Sequence, residues 1–192
     1  MISAILLAAG ESRRMGEFKQ LLPFGEKTFV ESCVDNLLAS SIDELIVVTG
    51  HREADVRRAL AKRPIKSVFN AQHRQGMSSS IQCGVEAASQ NATAYLIALV
   101  DQPQINIAII NQLIEAYQQT DALIAIPVYQ ESRGHPILLS AKLKKEILSI
   151  TPEIGLKAVI TAHRNETLYV KVTDQGVLLD FDYPEDFERI KR

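Results

Sequence analysis

The sequence predicts a three-layer α/β fold with a mainly parallel sheet, and three observations carry that reading. Short apolar runs alternate with longer stretches of helical period. Several of the runs are continuous rather than alternating, as strands covered on both faces require. The β-α order repeats along the chain, which implies parallel strands joined by crossover helices.

The first run, "SAILLAAG" (3–10), is closed by Gly10. The next segment, "TFVESCVDNLL", sets Phe29, Val30, Cys33, Val34, Leu37 and Leu38 on one helical stripe, and Thr28 with Glu31 supplies a capping box at its start. "ELIVVTG" (44–50) reads as a second buried strand, a short polar helix follows between Glu53 and Lys62, and "IKSVFN" (65–70) is a third strand. "MSSSIQCGVEAAS", after Gly76, is a helix with three serines in its first turn. A strand at "AYLIALVD" (94–101) then leads to the strongly apolar helix "IAIINQLIEAY" (107–117). Beyond it the pattern predicts strands at 122–127, 135–140, 167–172 and 177–182, and helices in "KLKKEIL" and "IGLKAVITAH". The chain closes on "PEDFERIKR", a helix with Pro184 at its first position and acids in its first turn. No repeat or Pro/Gly/Ser-rich linker interrupts this order, so a single domain over residues 1–192 is expected.

Composition narrows the function. A formal net charge of −2 with 23% charged residues leaves no global basic surface, so nucleic acid is not an expected partner and any cationic patch must be local. Cys33 and Cys83 fall in apolar-periodic stretches with neither disulfide nor metal-ligand spacing, and are read as reduced core thiols. The N-terminus lacks a charged start and a long apolar stretch, and no apolar run approaches the roughly 20 residues that span a bilayer. A soluble cytoplasmic protein without a membrane partner is therefore expected.

The loop after the first run carries most of the chemical signal. In such sheets ligands bind beyond the carboxyl ends of the strands, and this loop is the usual phosphate site. The spacing from Gly10 to Gly16 is one residue too long for a Walker loop and lacks the Lys-Ser/Thr that should follow, and no G-x-G-x-x-G is present. What remains is a turn with free amides and with Arg13, Arg14 and Lys19, able to surround a polyphosphate. On charges alone, a solvated loop with arginines facing water accounts for it equally well.

The wider pattern separates these readings. "LAAGESRRMGEFKQLLPFGEKTFVE" resembles the nucleotide-binding opening of the MobA-like nucleotidyltransferases, L-A-[AG]-G-x-S-x-R-[MF]-G-x-x-K-x-L-L. Leu7, Ala8, Ala9, Gly10, Ser12, Arg14, Met15, Gly16, Lys19, Leu21 and Leu22 all match. The likeness continues through "GMSSSI" (76–81), "VDQP" (100–103), "GHPILLS" (134–140) and "LDFDYPEDF" (179–187), and is nearest to the branch of molybdenum cofactor cytidylyltransferases. It implies the Rossmann-like nucleotidyltransferase fold, a nucleotide site built from Leu7, Ala8, Ala9, Gly10, Arg14 and Lys19, and catalytic roles for Arg14, Lys19 and Asp101. It also places Gly76, Met77, Ser78 and Ser79 beside the base and ribose, where Gly76 permits close backbone approach and the serines give a polar helix start. Ala9 stands where the guanylyl-transferring branch tends to carry glycine, which points to CTP over GTP; ATP is not excluded.

Transfer of a nucleotidyl group places negative charge on both sides of the α-phosphorus, and Mg²⁺ usually offsets it, held by one or two carboxylates plus phosphates and water. Asp101 ends the run "YLIALV" and so faces the same rim as the glycine loop; read alone it is equally a turn or capping residue. In "LLDFDYPED", Asp180 and Asp182 lie two apart on a strand-like segment and are expected on one face, so either could supply a second ligand. The resemblance favours Asp182, leaving Asp101 and Asp182 as the metal pair. Gly134 and His135 resemble the acceptor-side loop, with His135 binding substrate or orienting a neighbour. Tyr183 replaces the threonine commonest before P-E-D in the family, which bears on the acceptor.

The reading that follows is a Mg²⁺-dependent transfer of CMP from CTP to molybdenum cofactor with release of pyrophosphate, and with a molybdenum hydroxylase as a candidate partner enzyme. Two alternatives stand beside it: transfer to a phosphorylated sugar or alcohol, and a non-catalytic nucleotide- or cofactor-binding chaperone.

Overall fold

A computed structural model describes residues 1–186. Its strands and helices run in the order β1 (Ile2–Ala8), β2 (Pro23–Phe24), β3 (Lys27–Thr28), α1 (Phe29–Leu38), β4 (Glu44–Thr49), α2 (Glu53–Ala59), β5 (Lys66–Phe69), α3 (Met77–Ala87), β6 (Ala94–Leu99) and α4 (Ile107–Gln118). The remainder holds β7 (Ile124–Tyr129), β8 (Ser132–Arg133), β9 (Ile137–Ser140), α5 (Lys144–Leu148), α6 (Gly155–Ala162) and β10 (Thr167–Lys171). The main sheet has the order β10-β7-β9-β6-β1-β4-β5, with β8 paired to β7. Its pairings are parallel except at β9, which runs against both β6 and β7, and at the short β8.

β1 shows why the sheet is layered on both sides. Every residue of it is buried, and successive side chains point to opposite faces. Ile2, Ala4, Leu6 and Ala8 enter one core with Val30, Val34 and Leu37 of α1 and Ile110 and Leu113 of α4. Ile5 and Leu7 enter the other with Ile81 and Val85 of α3, Ile147 of α5 and Val159 of α6. Gly84 is required where α3 crosses β1, because a Cβ there would lie 2.3 Å from Ile5 Cγ2. The capping box of Thr28 and Glu31 forms as read from the sequence, with both reciprocal bonds present.

One expectation fails near the C-terminus. Residues 177–182 do not form a strand: a 3-10 turn covers Gln175–Leu178 and irregular backbone follows to Asp182. The segment lies against the Asp101 loop rather than a strand edge: Gln102 and Gln104 donate to the carbonyls of Val177, Gly176 and Leu179, and Phe181 N–H donates to Asp101 O. Its apolar side chains are anchored by side-chain packing, with Val177 in the main core and Phe181 against Phe29. The closing helix starts at 184–186, and its remainder lies outside the described residues.

Candidate active site

Four parallel strands, β1, β4, β5 and β6, end on one rim, the position at which open α/β sheets bind ligands. Loop 9–18, which leaves β1, is fixed from beneath by a residue the sequence did not single out. Gln20, 1% exposed, donates through Nε2 to Ala8 O (3.2 Å) and Gly10 O (2.8 Å), and accepts from Ser12 Oγ at 3.1 Å. Ser12 Oγ also accepts from Lys19 N–H at 3.1 Å, so loop and lysine share one hydrogen-bonded frame. Gly16 has φ +73°, a conformation that side chains other than glycine disfavour. A glutamine among polar neighbours carries no pattern that would mark this role.

Lys19 itself is buried, which is rare for a lysine without partners. Its Nζ lies 3.1 Å from Asp101 Oδ2 and 2.8 Å from Asp182 Oδ1. Arg14 reaches the second oxygen of Asp182 at 2.6 Å, with its guanidinium 5.5 Å from the centre of the Tyr183 ring. Residues 82 and 163 positions from Lys19 are thus joined at one ammonium. Arg13 turns outward and pairs with Glu11 at 2.7 Å, away from this cluster.

Asp180 and Asp182 do not share a face as expected, because the backbone between them is not a strand. Asp180 accepts from Gln102 Nε2 at 2.8 Å, while Asp182 takes the cations. Burial raises the Asp180 carboxyl above the ordinary aspartate range, and the nearby charge of Asp101 adds to the rise. Burial, and after it the charge of Asp101, pushes the Cys33 thiol up, and Cys33 sits in the core as the sequence suggested. Cys83, half-buried, is raised by burial as well.

The residues present fit a divalent cation. Asp101 Oδ1 is buried without a hydrogen-bond partner, an expensive state for a carboxylate oxygen unless something else binds it. Three carboxylates gather here around Lys19 and Arg14, and all the donors are hard oxygens of the kind Mg²⁺ takes. Among the described residues no group of three or more His, Cys, Asp or Glu side chains is arranged to hold an ion by itself.

Beside the cluster lies a cleft of about 240 Å³, lined by Leu7, Ala9, Gly10, Gln20, His73, Gly76, Met77, Ser80 and Asp101 among others. Leu7, Ala9, Gly10, Gly76 and Met77, proposed from the sequence as one site, line this cleft together. Ala8 does not: it is fully buried in the opposite core and contributes only its carbonyl, held by Gln20. The exposed hydroxyls expected of Ser78 and Ser79 are also corrected. Both residues are buried, and Ser79 Oγ donates to Gly76 O (2.8 Å) and Gln72 O (3.0 Å) while accepting from Asn70 Nδ2. A hydroxyl turned into its own loop satisfies local carbonyls and stiffens the 70–80 turn. Ser80 lines the cleft instead.

Gly134 and His135 line a second, larger cavity of about 410 Å³, which Met77 and Ser78 also border. Gly134 is packed so closely that a Cβ would stand 2.3 Å from Val177 O. Burial lowers the His135 imidazole below its ordinary range, outweighing the attraction of Asp101, so the ring is neutral near pH 7. Its main-chain N–H donates to Val177 O at 3.0 Å.

The sequence signature of the MobA-like NTP transferase domain matches residues 4–167. Molybdenum cofactor cytidylyltransferase of Escherichia coli (strain K12) is 27% identical over 187 residues, covering 97% of this chain and 93% of its own. A protein named nicotine blue oxidoreductase, from Paenarthrobacter nicotinovorans, is 26% identical over 196 residues, covering 98% and 96%. Among solved structures, Rv0371c of Mycobacterium tuberculosis H37Rv superposes with a TM-score of 0.88 at 28% identity, covering 98% of this chain and 96% of the other. A structure of Rv0371c in complex with manganese gives 0.82 at 26% identity. Among the described residues no helix is long and apolar enough to cross a membrane.

Proposed function

The chain belongs to the MobA-like NTP transferase family, and from that premise we propose that it transfers CMP from CTP to molybdenum cofactor, releasing pyrophosphate. The observation that carries the reading is the meeting of Lys19 with Asp101 and Asp182 at the mouth of the Leu7–Ala9 cleft. In this reading the nucleotide base and ribose lie along Leu7, Ala9, Gly76 and Met77, and the triphosphate along Gly10, Arg14 and Lys19. Asp101 and Asp182 would hold Mg²⁺, which when bound supplies positive charge to the α-phosphate and the departing pyrophosphate.

The chemistry needs no protein nucleophile. A phosphate oxygen of the acceptor forms the new bond to the α-phosphorus, the bond from that phosphorus to the bridging oxygen breaks, and pyrophosphate leaves with the electron pair. Lys19 and Arg14 offset charge on the transferred group, which is how phosphoryl-type transfers gain most of their rate. Both are paired with carboxylates beforehand, so nucleotide phosphates and carboxylates compete for the same cations. His135, neutral and next to the acceptor cavity, orients the acceptor through a ring nitrogen. Ala9, whose side chain borders the cleft, narrows it against a purine.

The test is pyrophosphate release from purified protein with Mg²⁺ and molybdenum cofactor, run separately with CTP, GTP and ATP. CTP should be used at least several-fold better than the purines, and no release with any nucleotide would overturn the reading. A redox reading, raised by the relative named nicotine blue oxidoreductase, is checked in the same samples by following NAD(P)H absorbance. Consumption of NAD(P)H without pyrophosphate release would favour it.

A further inference from the structure

The larger cavity has a chemistry of its own, which narrows the acceptor class. Its walls carry Ile81 of α3, Ile97 of β6, Ile126 of β7, Ile137 of β9 and Ile160 of α6. Five β-branched side chains from five elements converge without closing the space, although protein interiors normally pack to near-crystalline density. Ser78, His135 and Thr161 also line it, but the isoleucine face itself gives no hydrogen bonds, so a polyhydroxylated acceptor lying on that face would lose hydration that it cannot replace. It suits a compact apolar or aromatic body.

Two cations stand on the rim of the same cavity. Arg133 is held with its guanidinium 5.0 Å from the centre of the Tyr169 ring, a cation–π contact that fixes its position without neutralising it. Lys157 lies in the first turn of α6 and makes no ion pair among the described residues. A lysine at that end opposes the helix dipole, and α6 has neither an acid in its first turn nor a side-chain cap to offset it. The neighbouring acid, Glu153, takes a hydrogen bond from Thr151 and sits below the ordinary glutamate range because of it.

We propose that this cavity binds an acceptor with an apolar body and an anionic group, the body lying on the isoleucines and the anion on Arg133 and Lys157. This rests on the transferase reading, since it treats the space shared with Met77 as the acceptor side of the reaction. It disfavours sugar and polyol acceptors for this chain.

The test is binding to the full chain labelled at isoleucine methyls, read by NMR without nucleotide, with 1-naphthyl phosphate, 1-naphthol and inorganic phosphate as probes. The ester should shift the methyls of Ile81, Ile97, Ile126, Ile137 and Ile160 and bind about ten-fold more tightly than naphthol, the gain expected of a charge-assisted contact. Lys157→Ala and Arg133→Ala should each remove most of that advantage while leaving naphthol binding within about two-fold, a change too small to indicate a lost contact. Equal affinity for ester and naphthol, or an ester that leaves these five methyls unmoved, would overturn the proposal. Because no transfer is needed, the two readings fail separately. Ester binding with no pyrophosphate release from any nucleotide retires the transferase reading and leaves an anion-selective pocket. Release with CTP but no ester preference retires the pocket assignment alone.

Discussion

The two spaces on either side of Met77 are held open by different forces. The cleft beside Lys19 takes Leu7, Ala9, Gly10 and Gln20 from the first strand, the loop after it and the turn that follows, with the rest of its lining at 73–80 and 99–101. The isoleucine-lined cavity draws on α3, β6, β7, β8, β9 and α6, with its longest run of lining residues between Pro152 and Thr161. The first depends on hydrogen bonds, through Gln20, Ser12 and Lys19, and the second on packing around Gly134 and on the placement of α6. A frame of hydrogen bonds inside one loop holds its shape locally, whereas a cavity walled by packing changes with the elements around it.

If that division holds, changes on the two sides should separate in what they disturb. The largest effect is expected from Lys19→Ala or Asp101→Ala, which should lower pyrophosphate release by about a thousand-fold or more, the usual cost of removing an oriented phosphate or metal contact. Far-UV circular dichroism should be unchanged, and near-normal turnover in either variant would break the assignment of the cleft.

Next comes Gln20→Leu, which leaves the Ala8 and Gly10 carbonyls and the Ser12 hydroxyl without their partner. It should cost about 1–3 kcal/mol in denaturant melts and raise the nucleotide KM, with acceptor KM unmoved. On the other side, Gly134→Ala forces a Cβ to within 2.3 Å of Val177 O. A shift of the 175–178 turn should cost about 1–3 kcal/mol, as overpacking does, and raise the acceptor KM more than the nucleotide KM. A Gly134→Ala protein with nucleotide KM raised and acceptor KM unchanged would contradict the comparison.

The smallest effect concerns pH. His163, at the end of α6, lies 2.8 Å from Glu166 and 2.9 Å from Glu146 of α5, and these two carboxylates raise its imidazole above the ordinary 6.5. A raised folded-state value means the stabilisation is fully present below 6.5 and is lost as pH rises through the folded value. Between about pH 6 and 9, a window that brackets the histidine range, the Tm of the parent protein should fall more than that of His163→Gln. A parallel pair of Tm curves would show that this contact does not tie α6 to α5.

Much of the fold was legible because burial on two faces writes itself into short range. The continuous run read at 3–10, the stripe on α1 and the Thr28–Glu31 box each depend on neighbours in sequence, and each appears, the run as a strand over Ile2–Ala8. The segment 177–182 misled for the same reason. Its residues satisfy a strand pattern, yet the carbonyls of Val177 and Leu179 are met by the side-chain amides of Gln102 and Gln104 and by one main-chain N–H, that of His135, rather than by a strand ladder. At the site, Lys19, Asp101 and Asp182 could be nominated from motif resemblance, but Gln20 and Ser80 carry no local mark, and the burial of Ser79 reverses the role its polar character suggests.

What the sequence determined alone is the alternation of strands and helices and the glycine-rich turn after the first of them, because periodicity and backbone freedom are properties of adjacent residues. Tertiary structure decided which carboxylate faces Lys19, which one turns to Gln102 and leaves the aspartate range, and where five isoleucines fail to close. Those outcomes follow from desolvation and packing between residues far apart in the chain, and both vanish in an extended polymer.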